Sequence, residues 1–297
     1  EQVTGEYGAR VLQSTARNQH AVRRMKRLMK RTVWALCSQV RAGSFVPSNY
    51  EVSFTVAEDL HAVNIALTEQ ETMRLKGRID RIDVCEKNDQ VYVKVIDYKS
   101  GNTEFDIAAL YYGLQLQLVV YLNAAMELES RIYPDKEIVP GGILYYRISD
   151  PMLERGEASP EEINRQILKK LKPSGLINGD RSVVEAFDGG VDRDSDVIPV
   201  SYNKDGKPSR YASVASKEQF ASLSSFVHQK MQSLGREILR GDCGALPYER
   251  KGRTPCEYCE FREVCGFDPK IPGTQVRRLK EYSPEEVWSM IQEETER

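Results

Sequence analysis

A chain of 297 residues with 40% hydrophobic and 29% charged side chains can build a real core and stay soluble, as one large domain or a domain with an appendage. No apolar run reaches the length of a membrane-spanning helix, no secretory leader is visible, and no G-x-x-x-x-G-K-[ST] loop is present, so the chain has no recognisable ATP-binding loop. The net charge of −2 gives no global attraction to nucleic acid, but its placement is uneven: residues 7–50 hold nine Arg and Lys and no acid, and residues 281–297 hold six Glu and one Arg.

Residues 6–42 are predicted to form a long helix. Val11, Leu12, Met25, Leu28, Met29, Val33, Trp34, Leu36, Cys37 and Val40 recur at helical spacing over much of it. Arg17, Arg23, Arg24, Lys26, Arg27, Lys30 and Arg31 make it strongly basic. Such a run is commonly a solvated face. The absence of acids also suits contact with a phosphate backbone through Arg23, Arg24, Arg27, Lys30 and Arg31. His20 reads as a surface histidine.

Ala42-Gly43 is expected to end the helix, and Pro47-Ser48-Asn49 reads as a loop. Tyr50–Val56 and Ala62–Leu67 read as strands, with Glu51 on the first. Arg74–Val84 alternates polar with mostly apolar residues, the period of a half-buried strand. Lys87–Gln90 is a turn, and Val91–Ile96 is a β-branched run. Asp97 and Lys99, two apart, share one face of that strand. If Asp80 lies across from Asp97, two carboxylates converge with an ammonium beside them. Close carboxylates repel unless something positive sits between them. A hard divalent cation such as Mg²⁺, held by oxygen and keeping open water positions, fits that need. Lys99 could then orient or activate the attacking water, or stabilise charge on a phosphate. The plainer meaning of Asp-x-Lys is a surface salt bridge at a strand end. Arg78 and Arg81 either bind phosphate or pair with Asp83 and Glu86, and Cys85 reads as core.

A single helix is expected from about Asp106 to Glu129, with Leu110, Leu114, Leu118, Tyr121 and Leu122 on its apolar side. Gln117 and Tyr121, four apart, share a face. Tyr111 and Tyr112 read as packing residues or as aromatic surface for bases. Val139–Ile148 reads as a further strand, and the order of elements is that of an α/β core with a mixed sheet. Ser159-Pro160-Glu161-Glu162 starts a helix that runs to about Leu171. Pro173 to Arg210 reads as an insertion of flexible loops, strand-like around Val183-Val184 and Val197–Val200. Another helix spans Lys217–Leu239 and stops at Gly241.

Six cysteines in this length are no disulfide framework. Cys256, Cys259 and Cys265 form C-x₂-C-x₅-C, a spacing at which thiolates bind Zn²⁺ or an iron–sulfur cluster in a reducing compartment. A fourth ligand is not obvious; Cys243 is thirteen residues earlier and Cys37 is remote. Ser283-Pro284-Glu285-Glu286 opens an acidic last helix, either solvated or docked on a partner or on the basic first helix.

Gly77-Arg78-Ile79-Asp80 followed by Asp97-Tyr98-Lys99-Ser100-Gly101 resembles the G-x-x-D and D-Y-K-[ST]-G elements of RecB-type PD-(D/E)xK nucleases. Gln117 and Tyr121 are similar to their Q-x-x-x-Y element, and Glu51 to a glutamate on the strand that enters the hairpin. The cysteine triplet, preceded by Pro247-Tyr248, completes a resemblance of residues 32–268 to the C-terminal nuclease region of the AddB type found in bacterial helicase–nucleases. The resemblance implies an α/β PD-(D/E)xK restriction-endonuclease-like core, a mixed sheet flanked by helices, with a C-terminal cysteine-rich segment. It implies Asp80, Asp97 and the backbone carbonyl of Tyr98 as ligands of Mg²⁺ or Mn²⁺, with Lys99 catalytic and Glu51, Gln117 and Tyr121 in support. It also implies Cys256, Cys259 and Cys265 as three of the four ligands of a [4Fe–4S] cluster.

The family's early cysteine and its G-x-x-x-H element have no counterpart and would precede Glu1. With a first residue that is not Met, the chain is expected to be a fragment in which the cluster is incomplete. The expected organisation is a basic helix over 1–45, the nuclease core over 46–150 and a helical and loop extension over 151–242. A cysteine-rich segment over 243–268 and an acidic tail over 269–297 complete it. The activity implied is a metal-dependent DNA exonuclease of the cytoplasm, paired in a heterodimer with a helicase–nuclease of the AddA type and processing double-strand breaks for recombination repair. A catalytically silent DNA-binding scaffold is the alternative, against which the intact Asp80, Asp97 and Lys99 argue. A zinc-binding interaction domain would account for the cysteines and leave the hairpin unexplained.

Overall fold

The computed structural model describes residues 14–54, 60–154 and 159–296. In chain order the elements begin α1 (Ala16–Ala42), β1 (Val46–Ser53), β2 (Asn64–Ala66), β3 (Thr72–Arg74), β4 (Arg78–Lys87) and β5 (Gln90–Lys99). Next come α2 (Ile107–Tyr111), α3 (Gln117–Ile132), β6 (Glu137–Arg147), α4 (Pro160–Lys170), β7 (Ser174–Asn178), α5 (Arg181–Phe187) and β8 (Val214–Ala215). The chain continues through α6 (Lys217–Leu239), β9 (Tyr248–Glu249), a 3₁₀ turn (Pro255–Tyr258), α7 (Arg262–Cys265), β10 (Arg277–Arg278) and α8 (Pro284–Thr295). The chain divides into two compact units. One draws on residues up to 53, 78–105 and 125–217; the other on 54–77, 106–124 and the residues from 218 onward.

The first unit is built on a six-stranded mixed sheet of order β1-β4-β5-β6-β7-β8. β4 runs antiparallel to both β1 and β5, β5 and β6 run parallel, β6 and β7 antiparallel, and β7 and β8 parallel. β5 lies inside the sheet, and its residues Val91–Asp97 are all buried, as expected of a strand covered on both faces. One face carries Cys85, Tyr92, Ile96, Leu144 and Tyr146 into a core shared with Phe45 and with Val183, Val184 and Phe187 of α5. Leu36 and Ala42 bring the end of α1 against the same core. The chain turns sharply after α1 at Gly43, where a Cβ would fall 2.1 Å from the carbonyl oxygen of Ala186. The amide of Ser44 donates to that carbonyl at 2.7 Å, so the turn and α5 are joined at a spacing only glycine permits.

Several expectations are corrected here. Val183-Val184 is helical, within α5, because Asp180 caps that helix by accepting from the amide of Ser182. The stretch from Pro173 to Arg210 is not a loose insertion: it supplies β7 and α5, and Val191, Val197, Ile198, Val200 and Tyr202 enter the core. The strand expected over Arg74–Val84 is two strands, and β3 pairs with β2 in a separate ribbon. Residues 6–13 of the expected first helix, Val11 and Leu12 among them, and Thr55 and Val56 of the expected strand lie outside the described residues.

In the second unit the helix expected over Asp106–Glu129 is broken. Asp106 caps α2 by accepting from the amides of Ala108 and Ala109 at 3.0 Å each. Gly113, at φ 83°, then stops it. The amide of Leu114 reaches back to the carbonyl of Ala109 at 2.9 Å, a glycine stop that satisfies the last carbonyls. α3 restarts at Gln117. Tyr111 stacks on Phe226 of α6 and donates its hydroxyl to Glu294 of α8 at 2.7 Å; the tyrosine pair is a packing element. The acidic α8 is therefore docked within its own unit, with Val287 and Ile291 fully buried. Arg236 and Gln232 of α6 donate to the carbonyls of Leu67 and Ala66, which holds the β2–β3 ribbon.

Candidate active site

The β4–β5 hairpin positions the acids. Its strands pair from Lys87↔Gln90 to Arg81↔Ile96, closed by Asn88 at φ 54°, a backbone region that asparagine tolerates. One step past Arg81↔Ile96, Asp80 and Asp97 face one another at the open end of the hairpin. Asp80 Oδ2 accepts from the amide of Tyr98 at 2.8 Å. Lys99 Nζ lies 2.6 Å from Asp97 Oδ2 and 5.2 Å from the centre of the Tyr145 ring on β6. Asp97 is 3% exposed. Burial pushes its carboxyl above the usual carboxylate range, Lys99 pulls it back, and the charge of Asp80 adds to the rise. The pair of acids is thus a place where a further positive charge is favoured.

The donors present fit a hard divalent cation. In an extended strand the amide and carbonyl of one residue leave on the same edge. The amide of Tyr98 turns toward Asp80, so its carbonyl lies on that edge too. Two carboxylates and a backbone carbonyl are an all-oxygen set of the kind Mg²⁺ takes while keeping waters. Among the described residues, no group of three or more His, Cys, Asp or Glu side chains gathers as a metal site.

The opposite face of the hairpin holds a buried ionic network. Arg81 donates to both carboxylate oxygens of Asp83, at 2.5 and 2.7 Å, and to the Tyr98 hydroxyl at 3.3 Å. Lys94 lies 3.2 Å from the same aspartate, its ammonium over the rings of Phe45 and Phe187. Burial alone would lower the Arg81 guanidinium, but its bonds to Asp83 more than reverse that. Burial holds Lys94 below its usual value, with Asp83 opposing. Tyr98 joins the two faces: its ring is held by Arg81 and its amide holds Asp80. Of the two roles open to Arg81 in the sequence, the structure shows the pairing with Asp83. The signal was the alternation itself, which puts Arg81 and Asp83 together on one face; Lys94 and the Tyr98 amide had no such signal.

Glu51 sits in β1 at φ 53°, and its carboxylate accepts from Arg78 at 2.8 Å. Arg78 also feels the charge of Asp80. Glu51 does not join Asp80 and Asp97 in a group that could hold a metal. Gln117 and Tyr121, in the first turns of α3, are bonded to one another, amide to phenol oxygen at 2.8 Å, and the Tyr121 ring meets Phe54 edge-on. They belong to the second unit. Of the basic residues on α1, Arg23, Arg27, Lys30 and Arg31 line one groove; Arg24 is exposed and does not.

The cysteine segment differs from expectation. Cys256 stands in the 3₁₀ turn, Cys265 ends α7, and Cys259 lies between them, the last two exposed and all three free. The described residues do not gather these thiols into a ligand set. The segment therefore does not present a site that fits an iron–sulfur cluster. The spacing places three thiols within ten residues, but the backbone of two short helical turns decides where they point.

A family model described as the PD-(D/E)XK nuclease superfamily matches residues 2–266. The chain belongs to this superfamily. Proteins named as a component of an ATP-dependent helicase/deoxyribonuclease are similar to this nuclease-family chain over nearly its whole length. That of Alkaliphilus oremlandii is 36% identical over 296 residues, 100% of this chain and 26% of the relative. That of Lachnoclostridium phytofermentans is 40% identical over 98% of this chain and 25% of the relative. The chain spans about a quarter of the length of the curated relatives it matches.

Proposed function

We propose that this chain is the nuclease portion of a helicase–nuclease, a metal-dependent deoxyribonuclease that hydrolyses phosphodiester bonds as an exonuclease. The observation that carries the reading is the meeting of Asp80, Asp97 and Lys99 at the open end of the β4–β5 hairpin, within a chain of the PD-(D/E)XK superfamily. Asp80, Asp97 and the Tyr98 carbonyl would hold Mg²⁺ or Mn²⁺. When bound, such an ion lowers the pKa of water and offsets charge gathering on a phosphate. Lys99, fixed by Asp97, orients the attacking water or steadies the negative charge that develops on the phosphoryl oxygens. The Tyr98 amide keeps the Asp80 carboxylate turned to the site. Gln117 and Tyr121, as in the family element they match, would assist from α3. The names of the relatives support DNA as substrate and a helicase partner; the AddA type of that partner rests on the resemblance alone. Resection of broken ends for recombination repair in the cytoplasm is the setting such an assembly would serve.

The test is cleavage of end-labelled single-stranded DNA with Mg²⁺ or Mn²⁺, wild type beside Asp97→Ala and Lys99→Ala. Cutting should depend on the metal, vanish in Asp97→Ala and fall by about 10²–10³-fold in Lys99→Ala. Cutting that survives both substitutions overturns the site. Absence of cutting both here and in a chain extended to the full length of the relatives leaves the silent DNA-binding scaffold as the reading.

A further inference from the structure

α1 and α4 enclose a groove of about 530 Å³. Arg23, Lys26, Arg27, Lys30 and Arg31 line it together with Trp34, and Asn164 and Ile167 of α4 form the facing wall. Spacings of three and four stack these side chains along one face of α1. Met25, Met29 and Val33, exposed on the same helix, do not line the groove. A solvated charge run spreads around its helix; this one is concentrated in a concave track with an aromatic ring at one end. Arg27 and Arg31 are held in place by Asp150, at 2.7 and 3.0 Å, and Arg31 also donates to the carbonyl of Pro151.

The groove is not part of the cleavage centre. α1 packs through Leu36 and Ala42 on the core that covers the face of the sheet opposite Asp80 and Asp97. Yet it is tied to the end of the sheet that carries the site. Asp150 follows Ile148 by two residues, and the amide of Ile148 donates to the carbonyl of Lys99 at 2.9 Å.

We propose that this groove binds single-stranded nucleic acid, with successive phosphates along Arg23–Arg31 and a base against Trp34. This deepens the nuclease reading and rests on it: the strand would be held beside the end of the sheet where it is cut. The positive lining recognises the backbone. The indole selects an unpaired strand, because a base can stack on a side chain only after leaving its neighbours in a duplex. Trp34 is half-buried against the cluster of Ala35, Ile167 and Leu171 and also lines the groove, so a base can meet a ring already held in place.

The test uses the chain in EDTA, where no metal supports cutting, with Trp288→Phe so that Trp34 is the one remaining indole. A labelled 12-mer of deoxythymidylate should quench Trp34 emission and bind with steep salt dependence. Arg23 and Lys30 are exposed, so Arg23→Ala with Lys30→Ala should leave the fold intact. That double variant should weaken binding at least tenfold at low salt and flatten the log K against log salt slope by about 1.4, two phosphates at about 0.7 each. Binding unchanged in the double variant, no quenching, equal quenching by a duplex of the same length, or displacement by an acidic peptide at equal concentration would each overturn the proposal. Asp97→Ala separates it from the catalytic reading. If quenching persists while Asp97→Ala still cuts with metal, only the catalytic site is wrong. If Asp97→Ala abolishes cutting while the double variant binds as before, only the groove is wrong.

Discussion

Glu129 is carried by α3 to a buried position, 1% exposed, beside the irregular step in β1 between Pro47 and Asn49. One carboxylate oxygen lies 3.5 Å from the Asn49 amide, and the other has no hydrogen-bond partner among the described residues. Burial pushes the Glu129 carboxyl up, more than Asn49 and Ser48 lower it. The sign follows from that direction. A carboxyl whose value is raised on folding contributes stability in full below the ordinary glutamate range, about pH 4.3, and loses it as pH rises through the folded value. Glu129→Gln should therefore raise Tm near pH 7.5 and change it little at pH 4. A Tm difference that stays the same at both pH values would show that the carboxylate is accommodated at no electrostatic cost. Asp80, Asp97 and Lys99 were legible from the alternation and from their spacing. Glu129 was not, because a glutamate within a helical stretch gives no sign of which face is buried until the sheet beneath it is placed.

At the scale of elements, the junction between α2 and the segment before the cysteines turns on Arg250. Its side chain is 11% exposed and lies 2.8 Å from Asp106 and 2.9 Å from Glu281. Burial works against the charged form of Asp106, but the Ala109 amide and Arg250 outweigh it and hold the carboxyl below its usual range. That contribution is present above the ordinary aspartate value, about pH 3.9, and is lost as pH falls through the folded one. Arg250→Ala should cost about 1.5–3 kcal/mol in urea unfolding near pH 7, and less in acid. An equal loss at pH 7 and pH 3 would remove the ion pair as its cause. Element types follow from the sequence where pattern and cap agree, as in α4 with Ser159 and Pro160, or α6 over Lys217–Leu239. They do not follow from it where tertiary contacts decide. The break at Gly113 requires a left-handed residue that a leucine-rich periodicity hides. Val183 and Val184 favour strand by type and are made helical by the Asp180 cap and by burial against the sheet.

At the scale of the molecule, the chain leaves and re-enters its units. Residues 54–77 and 106–124 belong with the residues beyond 218, while every strand of the six-stranded sheet comes from the other set. A chain ended at residue 217 should therefore keep the sheet's circular dichroism while being cleaved by trypsin at Arg74 and Lys76, and by chymotrypsin within 106–124, far faster than the intact chain. Equal protection of those segments would show that they need nothing from the C-terminal part.

The buried Asp83–Arg81–Lys94 network has a consequence for how the hairpin finds its alignment. Both faces of β4 and β5 are lined with apolar residues, Ile82, Val84, Val93 and Val95 on one side and Cys85, Tyr92 and Ile96 on the other. Hydrophobic alternation, which normally rejects a slip of one residue, barely distinguishes the two faces here. Charge does. A slipped hairpin would turn Asp83 away from Lys94 and leave ions unmatched in the interior, a penalty of several kcal/mol each. The network thus proofreads strand pairing, and the alignment it enforces is the one in which Asp80 faces Asp97.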